Sequence, residues 1–181
     1  FKCGILATGA DRLTLDTCDV SGNYQQHLKS TPAAEDGGDW LWPHRNDKRE
    51  WVTNYGAGIC IEKSAGVTVR ECRARNGQNG LLLDRVTDSA VYDNDFSFLS
   101  GWGLAMWRCK TNMVSRNAFD FCVRGYSHGV YNRGQDSAGI LLFEQNHANI
   151  FAENSVTHGG DGVFAFAGRG ALGEAWFEAE R

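Results

Sequence analysis

The chain has 181 residues and a formal net charge of −4 at neutral pH. This length fits one domain, and the charge is mild and dispersed, which argues against nucleic-acid binding and against a basic membrane-surface helix. The sequence contains no run of 18 apolar residues, so insertion into a membrane is not predicted.

Six glycines, each opening a short apolar run, mark an internal repeat. Three of the steps between them are 22, 23 and 23 residues long, and the steps of 54 and 36 fit one repeat plus an inserted loop. A period in the low twenties with strand-like segments indicates a solenoid. The glycines are Gly4, Gly58, Gly80, Gly103, Gly139 and Gly162.

A second column of residues follows these glycines at a fixed distance. Fourteen residues after the first four glycines stand Cys18, Cys72, Asn94 and Asn117, and Asn154 stands fifteen residues after the fifth. Two positions further on come apolar residues: Val20, Ala74, Phe96, Phe119 and Val156. Each repeat therefore holds three short alternating segments, which predict strands with one buried face.

Three strands in about 22 residues exclude a propeller blade and a leucine-rich repeat. They predict an all-β solenoid, a parallel β-helix of about five to six coils. An inward Asn at each step of ~4.8 Å would bond to its neighbours above and below and satisfy backbone groups of the turn.

The glycine and asparagine columns of residues 3–166 resemble those of the right-handed parallel β-helix superfamily with the pectin-lyase-like fold. The resemblance implies a scaffold that lyases, hydrolases, epimerases and non-enzymes share. It also implies that a polysaccharide would lie across the sheet of first strands.

We expect residues 1–181 to form one monomeric domain with two insertions, 22–57 and 123–138. The tail 168–181 departs from the repeat, because Gly173 and Trp176 stand where a second strand and its Asn should fall. We therefore expect a fragment of a longer protein, with a cap or a third insertion as alternatives.

Both insertions enter at the same turn, between a third strand and the next first strand. Loops that leave one edge three coils apart would bracket about 14 Å of the outer face of the first-strand sheet, which predicts a groove. The outward positions of this sheet include an aromatic stripe, which is either covered by the loops or free to stack on a sugar. The stripe comprises Trp107, Phe143, Phe164 and Phe166, and Trp107 is the candidate for substrate binding.

Glu62 and Asp84 occupy the same outward column on neighbouring coils, so their carboxylates should lie roughly 5 Å apart. Like charges this close raise one pKa, and the spacing suits retaining glycoside hydrolysis. The same pair could bind Ca²⁺, the one cofactor we consider. The alternative is two solvated surface acids paired with Lys63 and Arg85.

The second insertion carries the densest set of chemical groups. Arginine could neutralise a uronate carboxylate while histidine or tyrosine removes the α-proton, as in polysaccharide lyases. A loop held by its own hydrogen bonds is the alternative. The candidates are Arg124, His128 and Arg133 for catalysis, and Tyr126, Tyr131 and Asp136 for substrate binding.

Two further groups are predicted beside the groove. His158 and Asp161 stand at the next corresponding turn and loosely resemble elements of polygalacturonase-like enzymes, whose paired aspartates are absent. We assign catalysis to Asp161, with a turn-forming role as the alternative, and substrate binding to His158. In the first insertion, Trp40 and Trp42 could form a sugar platform or anchor the loop.

The six cysteines lack metal-ligand spacing such as C-x-x-C, which argues against structural zinc. Cys18 and Cys72 share one column, where free core thiols are expected, although the Cα spacing would allow a disulfide.

The sequence predicts a secreted, periplasmic or cell-surface protein that acts on or binds a polysaccharide, as a lyase or a glycoside hydrolase. A non-catalytic glycan-binding repeat and a structural spacer are the alternatives. The enzyme hypothesis requires the catalytic candidates to face one groove.

Overall fold

A computed structural model describes residues 2–24, 46–123 and 137–166 of the chain. This part contains eleven strands and one short helix. They are β1 (Cys3–Thr8), β2 (Thr14–Asp16), α1 (Glu50–Asn54), β3 (Ala57–Glu62), β4 (Thr68–Arg70), β5 (Asn79–Asp84), β6 (Ala90–Tyr92), β7 (Trp102–Trp107), β8 (Met113–Ser115), β9 (Ala138–Phe143), β10 (Ile150–Ala152) and β11 (Asp161–Phe166).

The long and the short strands form two separate parallel sheets. The first sheet has the order β1-β3-β5-β7-β9-β11, and the second has the order β2-β4-β6-β8-β10. The register follows the sequence repeat, since Ile59 pairs with Leu81 and Leu81 pairs with Leu104. The predicted parallel β-helix is confirmed.

The third side of each coil differs from the prediction. Instead of a third strand, each coil forms an isolated bridge to the next, and the first two bridges join Asp19 to Arg73 and Arg73 to Asp95. Backbone hydrogen bonds flank each bridge, for example from the Arg73 N–H to the Cys18 carbonyl oxygen and from the Val20 N–H to the Arg73 carbonyl oxygen, both at 2.8 Å. The coil therefore has two strands and a bridged turn.

The core lies between the two sheets and is built from repeat positions. Residues one and three after Gly58, Gly80 and Gly103 point inward, as predicted, and they meet the central valines of the short strands. The buried set includes Ile59, Ile61, Leu81, Leu83, Leu104, Met106, Ile140, Val69, Val91 and Val114.

Close packing explains why glycine stands at the start of the long strands before the last one, β11. A Cβ atom on Gly80 would lie 2.6 Å from the carbonyl oxygen of Gly103 and 2.7 Å from the Cβ atom of Phe96. A Cβ atom on Gly103 would likewise lie 2.9 Å from the Cβ atom of Phe119. Glycine is thus needed at these positions because the large side chains of Phe96 and Phe119 occupy the space where a Cβ atom would lie.

The predicted asparagine ladder is present. The Asn94 backbone N–H and side-chain amide both donate to Oδ1 of Asn117, at 3.0 and 2.8 Å. The Asn117 amide in turn donates to the carbonyl oxygen of Val91 at 3.0 Å and to Oδ1 of Asn154 at 2.9 Å. These bonds satisfy backbone groups that the turn would otherwise bury unpaired.

A second ladder was missed at the sequence level. Oδ1 of Asn112 accepts from the Ser89 backbone N–H, and Oδ1 of Asn149 accepts from that of Asn112, both at 3.0 Å. Each of these three residues directly precedes a short strand. That shared position was the signal in the sequence.

Within the described ranges no helix is long and apolar enough to cross a bilayer, and α1 has only five residues.

Candidate functional site

Residues 46–56 cross the outer face of the first sheet from the end of its strands to their start. At one edge the Asn46 amide donates to Oδ2 of Asp84, the last residue of β5, at 2.9 Å. At the other edge the Gly56 N–H donates to Oε1 of Gln78, which precedes β5, at 2.6 Å. The returning arm of the first insertion, which includes α1, is therefore a cover, and we call residues 46–56 the cover segment.

Aromatic packing fixes the cover segment to the sheet. The Trp51 ring centroid lies 5.3 Å from that of Trp102 and 6.0 Å from that of Trp107. Tyr55 meets Trp102 edge-on at 5.3 Å. These contacts form a second hydrophobic core outside the coil.

The aromatic stripe predicted on this face exists as a stack. Trp107 stacks on Phe143 at 5.3 Å, and Phe143 stacks on Phe166 at 4.9 Å. Trp107 is 0% exposed, so the prediction that it contacts substrate is not met in this structure, because Trp51 and Phe143 already cover its ring. Phe166, at 46% exposure, is the accessible member of the stack.

Glu62 and Asp84 are paired in register on β3 and β5, as the repeat predicts. They are not solvated, because they are only 2% and 3% exposed. Arg49 clamps Glu62, with Nε donating to Oε1 at 3.1 Å and Nη2 to Oε2 at 2.7 Å. The Thr8 hydroxyl adds a bond of 2.9 Å to Oε2. The expected partner Lys63 is thus replaced by Arg49 of the cover segment.

Asp84 lies in a different environment. Besides the bond from Asn46, its Oδ1 accepts from Nη1 of Arg85 at 2.8 Å, as the sequence suggested. Burial raises the pKa of the Asp84 carboxyl to about 6, the nearby Glu62 charge adds to the rise, and Arg85 opposes it. The pair therefore combines an arginine-clamped carboxylate with a carboxyl whose pKa is raised toward neutrality.

A network of charges closes the edge beside this pair. Asp47 forms an ion pair with Arg108, with 3.1 Å between Oδ1 of Asp47 and Nη2 of Arg108. The Arg108 guanidinium lies 4.9 Å from the Trp107 ring centroid. The Arg49 side chain remains 49% exposed, so solvent reaches the site from this rim. The partners Asn46, Asp47 and Arg49 were not assigned from the sequence. They lie in an insertion outside the repeat, so the repeat does not predict where their side chains point.

Asp161 and His158 lie at the opposite edge of the sheet. Asp161 is in register with Ala138 and hence with Trp102, at the start of the strands, whereas Glu62 and Asp84 end theirs. A six-residue strand separates these edges by about 16 Å. The prediction that Asp161 shares one groove with the carboxylate pair is therefore wrong for this structure.

The His158 ring has a partner of its own. It stacks on Phe121 with the ring centroids 4.7 Å apart, and Phe121 stacks on Phe98 at 4.8 Å. Its backbone adopts a positive φ of 54° in the turn before β11. The structure thus gives His158 a place in an aromatic stack at the corner of the coil.

Several predicted site residues lie outside the described residues, and their roles stay predictions. They are Trp40, Trp42, Arg124, Tyr126, His128, Tyr131, Arg133 and Asp136.

The carboxylate pair does not fit Ca²⁺. That ion takes six to eight oxygen ligands, whereas the guanidinium groups of Arg49 and Arg85 already occupy these carboxylates. In the part of the chain that the structure describes, no group of three or more His, Cys, Asp or Glu side chains could hold a metal ion.

A family model described as the right handed beta helix region matches residues 44–174, which is more than half of the chain. The chain belongs to the right-handed β-helix family. No curated protein and no solved structure matches it. Family membership accounts for the parallel sheets and the stacked coils, and it leaves the chemistry to be argued from the site.

Proposed function

We propose that this β-helix domain is a carbohydrate-active enzyme in which Asp84 and Glu62 hydrolyse a glycosidic bond of a polysaccharide. The observation that carries the proposal is the unlike environments of two adjacent carboxyl groups. Burial raises the pKa of the Asp84 carboxyl, whereas Arg49 donates one hydrogen bond to each carboxylate oxygen of Glu62. Environments that separate two carboxyl groups in this way are typical of acid and nucleophile assignments.

In this proposal the chemistry follows the retaining mechanism. Asp84 gives its proton to the glycosidic oxygen while Glu62 attacks the anomeric carbon, which breaks the glycosidic bond and forms a glycosyl ester. Asp84, now ionised, takes a proton from water, and the resulting hydroxide displaces Glu62 from the sugar. Glu62 and Asp84 are in register on neighbouring strands about 4.8 Å apart, and retaining enzymes hold their two carboxyl groups about 5 Å apart.

Substrate access requires the cover segment to open at its exposed rim. Arg49 and Asn46 contact the two carboxyl groups directly, and Arg49 is half exposed. A sugar that displaced them would offer hydroxyl groups in place of the guanidinium and amide donors. The proposal includes a secreted, periplasmic or cell-surface location, where a polysaccharide substrate would be met outside the cell.

The test is a panel of plant, algal and animal polysaccharides, read for new reducing ends and for the ultraviolet absorbance of an unsaturated uronate. We expect reducing ends without absorbance, and their loss in Asp84→Asn and Glu62→Gln. Asp16→Asn is the matched control, because Asp16 is an exposed acid paired with Arg70 far from this edge. Absorbance that His128→Ala abolishes would contradict the hydrolase and support a lyase in the second insertion.

A non-catalytic glycan-binding protein is the second candidate. It is favoured by the burial of Glu62 and Asp84 and by the partner that each of them has. This function predicts binding of an intact polysaccharide that Asp84→Asn leaves unchanged and that Trp40→Ala with Trp42→Ala weakens. Affinity electrophoresis in gels that contain the polysaccharide would measure this binding.

A further inference from the structure

Cys18 and Cys72 lie one above the other at the corner after the short strands. Asp16 is in register with Arg70 on one side of them, and Asp19 bridges to Arg73 on the other. Residues 18 and 72 are therefore direct neighbours across one coil step of ~4.8 Å. This spacing lies within the range of Cα separations that disulfides adopt.

Both thiols point into the same column. Sγ of Cys18 donates to the carbonyl oxygen of Asp16 at 3.5 Å, and Sγ of Cys72 donates to that of Arg70 at 3.2 Å. Burial raises the pKa of the Cys72 thiol, and the nearby Cys18 thiol adds to the rise. Equivalent side-chain directions on adjacent coils place the two sulfurs at neighbouring positions of this column.

The asparagine ladder ends at this pair. Oδ1 of Asn94 accepts from the Cys72 backbone N–H at 2.9 Å, but the side chain of Cys72 has no amide oxygen to offer the coil before it. In this column the first coil is thus joined to the second without the asparagine side-chain bonds that join the later coils. It is also the coil that the first insertion separates from its neighbour along the chain.

A small reagent can reach the pair. A surface cavity of about 310 Å³ is lined by both cysteines together with Asp19, Glu71, Arg73 and Asp93. Cys18 is half-buried and Cys72 is buried, and burial raises the pKa of the Cys72 thiol. Cys18 is therefore the thiol that would react first.

We infer that Cys18 and Cys72 are a disulfide site that joins the first coil to the second under oxidising conditions. The oxidant is a low-molecular-weight disulfide. The Cys18 thiolate attacks one of its sulfurs and expels a first thiolate, and the Cys72 sulfur then attacks the mixed disulfide and expels a second. Two protein thiols are oxidised, one small disulfide is reduced, and the two released protons yield two small thiols.

Cys3 and Cys60 are a matched comparison pair within the chain. A hydrogen bond from Cys60 lowers the pKa of the Cys3 thiol to about 7, so Cys3 is the more easily ionised thiol. Cys3 is in register with Ala57 and Cys60 with Leu6, so this pair does not occupy equivalent positions of neighbouring coils, whereas Cys18 and Cys72 do. Cys3 and Cys60 are therefore the competing thiol pair that the experiment has to distinguish from Cys18 and Cys72.

The experiment treats the full-length wild-type chain with cystamine, removes the excess, alkylates the remaining thiols and maps the peptides without reduction. We expect a peptide that links Cys18 to Cys72, with the other four cysteines alkylated or carrying cystamine that reductant removes. The oxidised protein should unfold at a temperature about 10 °C higher than the reduced one, because the link closes a long loop in the unfolded chain.

Dithiothreitol should reverse both changes, and Cys18→Ser should abolish the linked peptide while leaving the reaction of Cys3 intact. A Cys3–Cys60 link, or six free or singly modified thiols after exhaustive oxidation, would overturn the inference. Because the readout is a peptide mass, it is independent of the glycan chemistry proposed above.

Discussion

The inside of the coil and the outer face of its first sheet are both apolar, but they are built differently. Inside, each coil adds one residue to each column, so Ile59, Leu81 and Leu104 are equivalent by translation. Outside, Trp102 and Trp107 pack against Trp51, which comes from an insertion and has no counterpart in other coils. The inner core is a property of the repeat, and the outer core depends on one segment.

This contrast bears directly on the candidate site. The repeat places Glu62 beside Asp84, and the cover segment decides that both are buried and what they bind. Chemistry at this edge therefore depends on a non-repetitive element that lies on a regular scaffold. The following predictions test that division.

Trp51→Ala should have the largest effect, a loss of about 4 kcal/mol in the free energy of unfolding. Trp51 is the central ring of the outer core, and its removal leaves a cavity against Trp102 and Trp107. Urea unfolding measures the loss, and acrylamide quenching of tryptophan fluorescence should rise. Val52→Ala, a partly buried neighbour in the same helix, should cost about 1 kcal/mol. A Trp51→Ala protein as stable as the wild type would show that the cover is dispensable.

Gly80→Ala should cost about 3 kcal/mol, because its methyl group would overlap the Gly103 carbonyl oxygen and Phe96. Gly162→Ala is the matched control in the last described strand, where nothing lies within 4 Å of the added atom. Thermal unfolding of both variants measures the difference. Equal melting temperatures would contradict the packing that we assign to the glycine column.

Arg49→Gln should cost about 2 kcal/mol, since it leaves the Glu62 carboxylate buried without its ion pair, and solvent at the exposed rim offsets part of the cost. Arg49 has a positive φ of 60°, which costs a glutamine about as much free energy as an arginine. The substitution therefore changes the side-chain interactions and leaves the backbone strain the same. Arg70→Gln removes an exposed ion pair to Asp16 and should have no measurable effect. Denaturant titrations of the two variants should therefore differ clearly, and similar losses would argue against a special role for the cover.

The smallest effect concerns the pH dependence of stability. Asp84 has a folded pKa of about 6 and an ordinary unfolded pKa of about 4, so the folded state binds its proton more tightly. Its contribution to stability is present below about pH 4 and is lost as the pH rises through 6. Relative to Asp84→Asn, the wild type should lose about 1 kcal/mol between pH 5 and pH 7. Parallel pH profiles for the two proteins would contradict this assignment.

The sequence sufficed for the scaffold because the repeat encodes it. The repeat positions of Gly80, Leu81 and Asn94 occur once in each coil. In a solenoid, residues at the same repeat position of neighbouring coils lie in direct contact. The pairing of Glu62 with Asp84 followed from the same rule. The third strand was overpredicted because a short alternating segment does not reveal whether it continues into a ladder.

The position of the cover segment could not be predicted, because an insertion has no counterpart in the other coils with which it could be aligned. Nothing in the spacing of Asn46, Arg49 or Trp51 states which face of the coil they reach. The alternation of side chains along the strand correctly predicted that Trp107 points out of the coil. It could not predict that the cover segment lies over this side chain and buries it. Asp161 was misplaced relative to the carboxylate pair, because it lies where the strands start, at the turn that the insertions enter, whereas Glu62 and Asp84 lie where the strands end.

The most direct test of the proposed site is a titration of the side-chain carboxyl groups by ¹³C NMR in wild-type and Glu62→Gln proteins. The account predicts a pKa of about 6 for Asp84 in the wild type and a lower value in Glu62→Gln, where the neighbouring negative charge is gone. A pKa near 4 in both proteins would show that Asp84 is an ordinary ionised carboxylate, and the proposed acid would be excluded.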